Sequence, residues 1–271
     1  MGKVGTKFGT KYSEPQSLVY LSYLRSIVAA PLGVLWTLFC CLLAIVTMMF
    51  SSERIRDWIY HIWGRGCILL FGLEVEFRGE ENFPKKGKGA ICLFNHSSSS
   101  DIPILNSVMY KPIRWGAKVE LFKIPIFGQG LKALGALPIA RANREGVLNL
   151  YRQNVSRVHE GECFFLAPEG TRKDGSKIYP FKTGPFIFAI EAQSPVVPVV
   201  IYGAWQVIPK GQLFPCWGRW HNRVVVEVLP SISAKGLSLD DRPVLQEKAF
   251  KTMSDAFERL CREEKAELDG C

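Results

Sequence analysis

The chain has 271 residues, 48% of them apolar, with a formal net charge of +9 and a pI near 9.2. That is enough for one substantial α/β domain plus an appendage, and the positive charge favours anionic partners: nucleic acid, anionic lipid surfaces or phosphorylated substrates. The eight cysteines, Cys40, Cys41, Cys67, Cys92, Cys163, Cys216, Cys261 and Cys271, form no Cys-x-x-Cys pair and no Cys/His group at metal-site spacing, so no metal cofactor is expected. Several lie in apolar runs where a thiol packs as a small hydrophobe, which suits a reducing compartment.

The first element in chain order is a membrane segment. Between Arg25 and Glu53 no residue is charged, and SIVAAPLGVLWTLFCCLLAIVTMMF exceeds the roughly 20 residues that cross a hydrocarbon core. The run is too long for a signal peptide and no small-residue cleavage site follows it. Basic residues flank both sides, Lys3, Lys7, Lys11 and Arg25 before and Arg54, Arg56 and Arg65 after, so charge does not orient it. Pro31 and Gly33 leave a spanning helix, a re-entrant hairpin and an interfacial helix pair all open. The next stretch, RIRDWIYHIWGRGCILLFG, interleaves arginines with Trp58, Ile59, Ile62 and Trp63 at helical spacing and reads as an interfacial helix; the alternative packs that aromatic face on the core.

From Leu73 onward, short apolar runs alternate with helical stretches, the pattern of a mixed, largely parallel sheet flanked by helices. The expected strands are LEVEFRG, GAICLFN, IRWGAKV, GALPIAR, ECFFLAP, VVPVVIYG and RVVVEVL. Helices are expected after Asp101, over 144–159, over 184–192 and over 243–265, the last as a solvent-facing cover. The division is therefore 1–72, membrane-associated helices, and 73–271, an α/β catalytic domain. The lysines of Pro84-Lys85-Lys86-Gly87-Lys88-Gly89 mark a solvated turn.

Three clusters carry candidate chemistry. His96 follows the strand GAICLFN directly, at the carboxyl edge where α/β sheets build sites, and four serines then lead to Asp101. Serine and aspartate start helices well, so the turn brings the carboxylate back toward the imidazole, fixing one ring nitrogen and leaving the other free to take a proton. Such a dyad deprotonates a substrate hydroxyl directly or activates Ser97 or Ser99; a simple N-cap beside a polar strand-end residue fits the same letters. Gly-x-Ser-x-Gly is absent, which disfavours a serine hydrolase. In the second cluster, FLAPEGTRKDG, a strand runs into a turn whose small residues, Thr171 and Arg172 suit an anion cradle. The third, KVELFKIPIFGQGLKALGALPIARANREG, puts Lys118 and Arg141 at strand ends, with Phe122, Ile124, Ile126 and Phe127 as an apolar loop that lines an acyl tunnel, dips into lipid or packs in the core.

With NHSSSSD, GALPIAR, FLAPEGTR and VVPVVIYGA in this order over 73–204, the sequence resembles the glycerolipid acyltransferase family, in particular the 1-acyl-sn-glycerol-3-phosphate acyltransferases. The resemblance implies that His96 is the general base on an acceptor hydroxyl and Asp101 its orienting partner. It further implies that Lys118 and Arg141 help bind the acceptor phosphate, that Glu169, Gly170, Thr171 and Arg172 form the glycerophosphate site, and that Pro198 shapes the acyl site. The serine run, and Lys173-Asp174 after the arginine, depart from the family pattern and leave acceptor preference open. The activity so implied is transfer of a fatty acyl group from acyl-CoA or acyl-carrier protein to 1-acylglycerol 3-phosphate, giving phosphatidic acid for phospholipid biosynthesis. The alternatives are another acceptor, glycerol 3-phosphate or a different lysolipid, and a membrane-bound serine esterase. No cofactor beyond the thioester co-substrate is expected; the partners are a lysophospholipid acceptor, an acyl thioester donor and membrane lipids, with no nucleic acid. The expected location is the inner, cytoplasmic membrane with the catalytic domain on the cytoplasmic side.

Overall fold

The computed structural model describes residues 14–48, 53–109 and 113–269; Lys3, Lys7, Lys11 and Cys271 lie outside them. The uncharged run forms one helix, α1 (Gln16–Met48), which continues through Pro31 even though proline cannot donate to the Ile27 carbonyl. Most of its apolar surface, including Leu24, Ile27, Leu35 and Phe39, is exposed, and among the described residues it is the one helix long and apolar enough to cross a membrane. A second helix, α2 (Glu53–Phe71), turns back against it. The two interlock through indoles: Trp36 Nε1 donates to the Trp63 carbonyl at 3.1 Å and Trp63 Nε1 to Thr37 Oγ1 at 3.0 Å.

The aromatic-basic helix both packs and projects. Ile59 and Tyr60 are buried on the domain while Trp58 and Leu69 stand exposed. The close approach depends on Gly64, where a Cβ would lie 2.6 Å from the Pro103 carbonyl oxygen and the Ser107 nitrogen. Arg114, almost wholly buried, ties α2 to the sheet by bonding Asp57 Oδ1 at 2.7 Å and Glu162 Oε1 at 2.6 Å. A buried guanidinium is tolerated because both charges beside it are opposite and hydrogen-bonded.

The rest of the chain runs β1 (Leu73–Arg78), β2 (Ala90–Phe94), α3 (Asp101–Val108), β3 (Ile113–Lys118), α4 (Phe127–Ala133), β4 (Leu137–Ile139), α5 (Arg144–Gln153), α6 (Val155–His159), β5 (Cys163–Leu166), α7 (Gly184–Glu191), β6 (Val196–Tyr202), β7 (Asn222–Val228) and α8 (Arg242–Asp269). The strands form one seven-stranded sheet in the order β1-β7-β6-β2-β5-β3-β4, parallel throughout except between β6 and β7. Each expected strand is present. Helices cover both faces, so the central strands are buried on both sides and read as unbroken apolar runs. Along β2, Ala90, Cys92 and Phe94 join the core beneath α1 to α3, whereas Ile91 and Leu93 join the core beneath α5, α7 and α8. That two-residue alternation is the pleat of a strand.

The segment read as an apolar loop is instead a short 3₁₀ turn followed by α4. Intrinsic propensity does not favour a helix in FGQGLKA, which holds two glycines. Packing supplies the reason: α4 lies on α1, and a Cβ at Gly130 would sit 2.6 Å from Cys41 Sγ. The helix expected over 144–159 is divided at Asn154 into α5 and α6.

Candidate active site

The five mutually parallel strands β6, β2, β5, β3 and β4 all end at one edge, and the loops leaving β2, β3, β4 and β5 carry His96, Lys118, Arg141 and the 167–173 turn to it. Asn95 anchors the end of β2. Its side chain accepts from Ile201 N at 2.7 Å and donates to Ile201 O at 2.8 Å, so an amide acts as a further strand partner and fixes where His96 begins.

Asp101 is the first residue of α3, and the preceding Ser100 makes no side-chain cap. One carboxylate oxygen, Oδ2, accepts from Ser97 N and Ser98 N at 2.9 Å each and meets His96 Nδ1 at 2.8 Å. The carboxylate is fully buried at a helix start, where the peptide dipoles favour negative charge. Because that oxygen already receives two N–H groups, it is an acceptor, and the imidazole presents Nδ1–H to it with Nε2 left as the basic nitrogen. Asp101 Oδ1 is buried without a partner.

No hydrogen bond joins Ser97, Ser98 or Ser99 Oγ to the imidazole. Ser97 Oγ is buried with no hydrogen bond, Ser98 Oγ donates to the Ile208 carbonyl at 2.9 Å, and Ser99 Oγ accepts from Arg172. They fold the turn and brace an arginine. The Ser99–Arg172 contact joins positions 73 residues apart, and no sequence signal announced it.

Glu169 is almost fully buried, and its carboxylate is committed to the backbone: Oε2 accepts from His96 N at 3.1 Å and Oε1 from Tyr179 N at 2.9 Å. Burial pushes its carboxyl up, and the Tyr179 and His96 amides partly offset this. Together with the bond from Lys173 N to the His96 carbonyl at 2.7 Å, it sets the His96 loop against the 167–173 turn. Gly170 turns the chain there at φ 76°, a left-handed conformation that costs a side-chain-bearing residue.

Two cavities open at this edge. One, of about 580 Å³, is lined by His96, Ser99, Lys118, Arg141 and Arg172 at its mouth and by Tyr60, Trp115, Leu131 and Leu134 within, between the sheet and helices α1, α2 and α4. The other, about 640 Å³, lies on the α5 and α7 side and is lined by Glu169, Gly170 and Thr171. Arg141 lines both. The candidate residues are thus brought to one edge but divided between two cavities, with Asp101 behind His96. Pro198 is in β6, paired beside Leu93 of β2 and away from either cavity lining. Such a site has room for an apolar chain and cations for an anion, with an imidazole beside both.

Comparison with known proteins gives a consistent set of relatives. A family model described as acyltransferase matches residues 74–202. The 1-acyl-sn-glycerol-3-phosphate acyltransferase of Haemophilus influenzae is 30% identical over 217 residues, covering 78% of this chain and 87% of that one. The chloroplastic 1-acyl-sn-glycerol-3-phosphate acyltransferase of Brassica napus is 29% identical over 161 residues, 59% of this chain; there the match spans about half the relative's length, 46%. The crystal structure of the 1-acyl-sn-glycerophosphate acyltransferase of Thermotoga maritima superimposes with a TM-score of 0.74 at 23% identity, over 90% of this chain and 97% of the other, and so shares the fold.

Proposed function

The chain belongs to the acyltransferase family that includes the 1-acyl-sn-glycerol-3-phosphate acyltransferases, and from that membership we propose that it acylates the free hydroxyl of 1-acylglycerol 3-phosphate to give phosphatidic acid for phospholipid synthesis. The observation that carries this reading is the His96–Asp101 pair at the mouth of an apolar cavity rimmed by Lys118, Arg141 and Arg172. The acyl donor is a thioester of coenzyme A or of an acyl-carrier protein.

In the reaction, the fatty acyl chain of the donor occupies the 580 Å³ cavity, where each buried CH₂ contributes ~0.8 kcal/mol. The acceptor phosphate sits against Arg172, Lys118 and Arg141, which leaves its hydroxyl near His96 Nε2. Nε2 takes the hydroxyl proton as the oxygen attacks the thioester carbonyl. The tetrahedral intermediate collapses, the C–S bond breaks, and the thiolate takes the proton back from the imidazolium. An ester and a free thiol result. Asp101 holds the ring and offsets the imidazolium charge. Orienting both reactants beforehand removes much of the entropic barrier.

Membrane seating has a physical purpose here, since lysolipid and product both partition into lipid and a soluble enzyme would have to extract them. In this reading α1 anchors the enzyme in the inner membrane with the sheet on the cytoplasmic side. The serine esterase alternative is disfavoured by the engagement of Ser98 and Ser99 elsewhere and by the buried, unpartnered Ser97 hydroxyl.

The experiment offers the purified chain lysophosphatidate, glycerol 3-phosphate and an uncharged monoacylglycerol as competing acceptors, in wild type and Arg172→Ala. Lysophosphatidate is expected to be preferred. The variant is expected to raise its KM ~10-fold or more, the effect of one lost charge-assisted phosphate bond, with little change for the uncharged acceptor. Preference for glycerol 3-phosphate would reassign the acceptor; equal use of the uncharged one would remove the phosphate site.

A further inference from the structure

The second cavity has features that acceptor binding does not use. Its floor is apolar, from Ile139, Leu148, Tyr151 and Phe181, and, beyond Lys173 and the Arg141 that the acceptor phosphate shares, its lining carries Arg144 and Lys182. Arg141, Arg144 and Lys182 are exposed, and none of these makes an ion pair among the described residues. Elsewhere the chain pairs its arginines closely: Arg78, Arg114, Arg152, Arg157, Arg223 and Arg259 each bond a carboxylate. Glu169 lies in the same wall, but both its oxygens are committed to amides. Like charges converging on a concave surface repel one another until an anion sits between them.

Position decides which anion. The cavity is on the face covered by α5 and α7, whereas α1 and α2 pack on the opposite face. A lysolipid whose phosphate meets Lys118, Arg141 and Arg172 at the first cavity leaves Arg144 and Lys182 unused. A water-soluble carrier arrives from that side. The two cavities share Gly116 and Arg141 in their walls; Leu166 and Ile139 pack over the glycine, where a Cβ would lie 2.6 Å from Leu166 Cδ2, which leaves the exposed Arg141 as the border between them. The wall between them is the 167–173 turn, bonded directly to His96.

Resting on the reading above that the donor is a thioester, we propose that this cavity binds the phosphorylated end of the donor's carrier, with Arg144 and Lys182 as its principal phosphate ligands and Thr183 beside them. The pantetheine arm lies along the apolar floor and crosses beside Arg141, which delivers the thioester to His96 with the acyl chain continuing into the first cavity. The recognised group is the phosphate ester of phosphopantetheine, present both in coenzyme A and on an acyl-carrier protein. The donor and the acceptor thus approach His96 from opposite faces of the sheet.

The test is the Arg144→Gln/Lys182→Gln double variant of the full chain; both side chains are exposed, so the fold should persist. Three donors are compared: acyl-CoA, acyl-carrier protein and acyl-pantetheine, which has no phosphate. The KM for phosphate-bearing donors is expected to rise about tenfold or more, with the KM for lysophosphatidate and for acyl-pantetheine unmoved. A rise with both carriers identifies the phosphopantetheine phosphate; a rise with acyl-CoA alone identifies the nucleotide phosphates. Direct binding of unacylated coenzyme A should weaken by a similar factor. That readout is independent of turnover, so a wild type that bound coenzyme A but failed to acylate lysophosphatidate would refute the function and leave this site standing. Unchanged coenzyme A binding in the variant, or a raised KM for lysophosphatidate instead, would overturn the proposal.

Discussion

Replacing His96 by alanine is expected to lower the rate of acyl transfer by ~10²–10⁴-fold, the range for loss of a positioned general base. The loss should fall on kcat, because in the proposed mechanism the imidazole acts on the hydroxyl proton in the transition state and anchors neither the phosphate nor the acyl chain. Folding should be little affected. His96 contributes one side-chain hydrogen bond, to Asp101, and the carboxylate keeps its bonds from Ser97 N and Ser98 N when the ring is gone. The stability cost is then about 1 kcal/mol, readable as a small fall in the melting temperature of the detergent-solubilised chain. A variant that melted as wild type and transferred acyl groups at the wild-type rate would end the general-base assignment.

Asp101 gives the second large effect, and two substitutions separate its two roles. Asp101→Ala strips the imidazole of its orienting partner and leaves the amides of Ser97 and Ser98 without an acceptor in a fully buried turn. Each buried donor left unsatisfied costs about 1–3 kcal/mol, so this variant should be both nearly inactive and distinctly less stable. Asp101→Asn behaves differently. The two amides require an oxygen where Oδ2 stands, so the asparagine carbonyl occupies that place and still accepts from Nδ1–H, and the tautomer survives. What is lost is the negative charge that stabilises the imidazolium, a loss of about 1.5–3 kcal/mol or ~10–100-fold in rate. The asparagine NH₂ falls at the buried, unpartnered Oδ1 site, so this variant too should lose stability, by about 1–3 kcal/mol for a buried donor without an acceptor. The expected order of activity is wild type, Asp101→Asn, Asp101→Ala, measured as kcat on equally folded fractions. Equal activity of the two variants would mean that Asp101 acts through charge alone.

These effects could be anticipated because the dyad is local. His96 and Asp101 are five residues apart, and a strand end followed by a helix start brings such positions together by backbone geometry alone. The strands were legible for a similar reason: buried parallel strands are short apolar runs between turn residues, and GAICLFN or VVPVVIYG has no other economical use. What escaped the sequence depends on distant partners. The helix α4 forms because Gly130 permits contact with Cys41 of α1, some 90 positions earlier in the chain, against the weak propensity of its own residues. Glu169 reads as part of an anion cradle, yet its carboxylate lies on the His96 and Tyr179 amides, a pairing that only the adjacency of β2 and β5 creates. The separation of Thr171 from Arg172 into different cavities likewise follows from a turn that no periodicity reveals.

The order of the strands has the same character. Nothing in RVVVEVL marks it as the partner of both the first and the sixth strand, but its reversed direction brings the starts of β1 and β7, Leu73 and Asn222, to the edge where β6 ends, so their exit loops leave at the opposite edge from His96. The Arg78–Glu263 and Arg223–Glu76 pairs then tie α8 and β7 to β1.

Direct transfer from thioester to lysolipid hydroxyl is tested most directly by thiol release from acyl-CoA, followed with and without 1-acylglycerol 3-phosphate on the full chain in lipid vesicles. Thiol is predicted to appear only when the acceptor is present, one for each phosphatidate formed, with no acyl group retained on the protein. Release at the same rate without acceptor, or an acyl group recovered on Ser97 or Ser99, would contradict the account and point to an acyl-enzyme hydrolase.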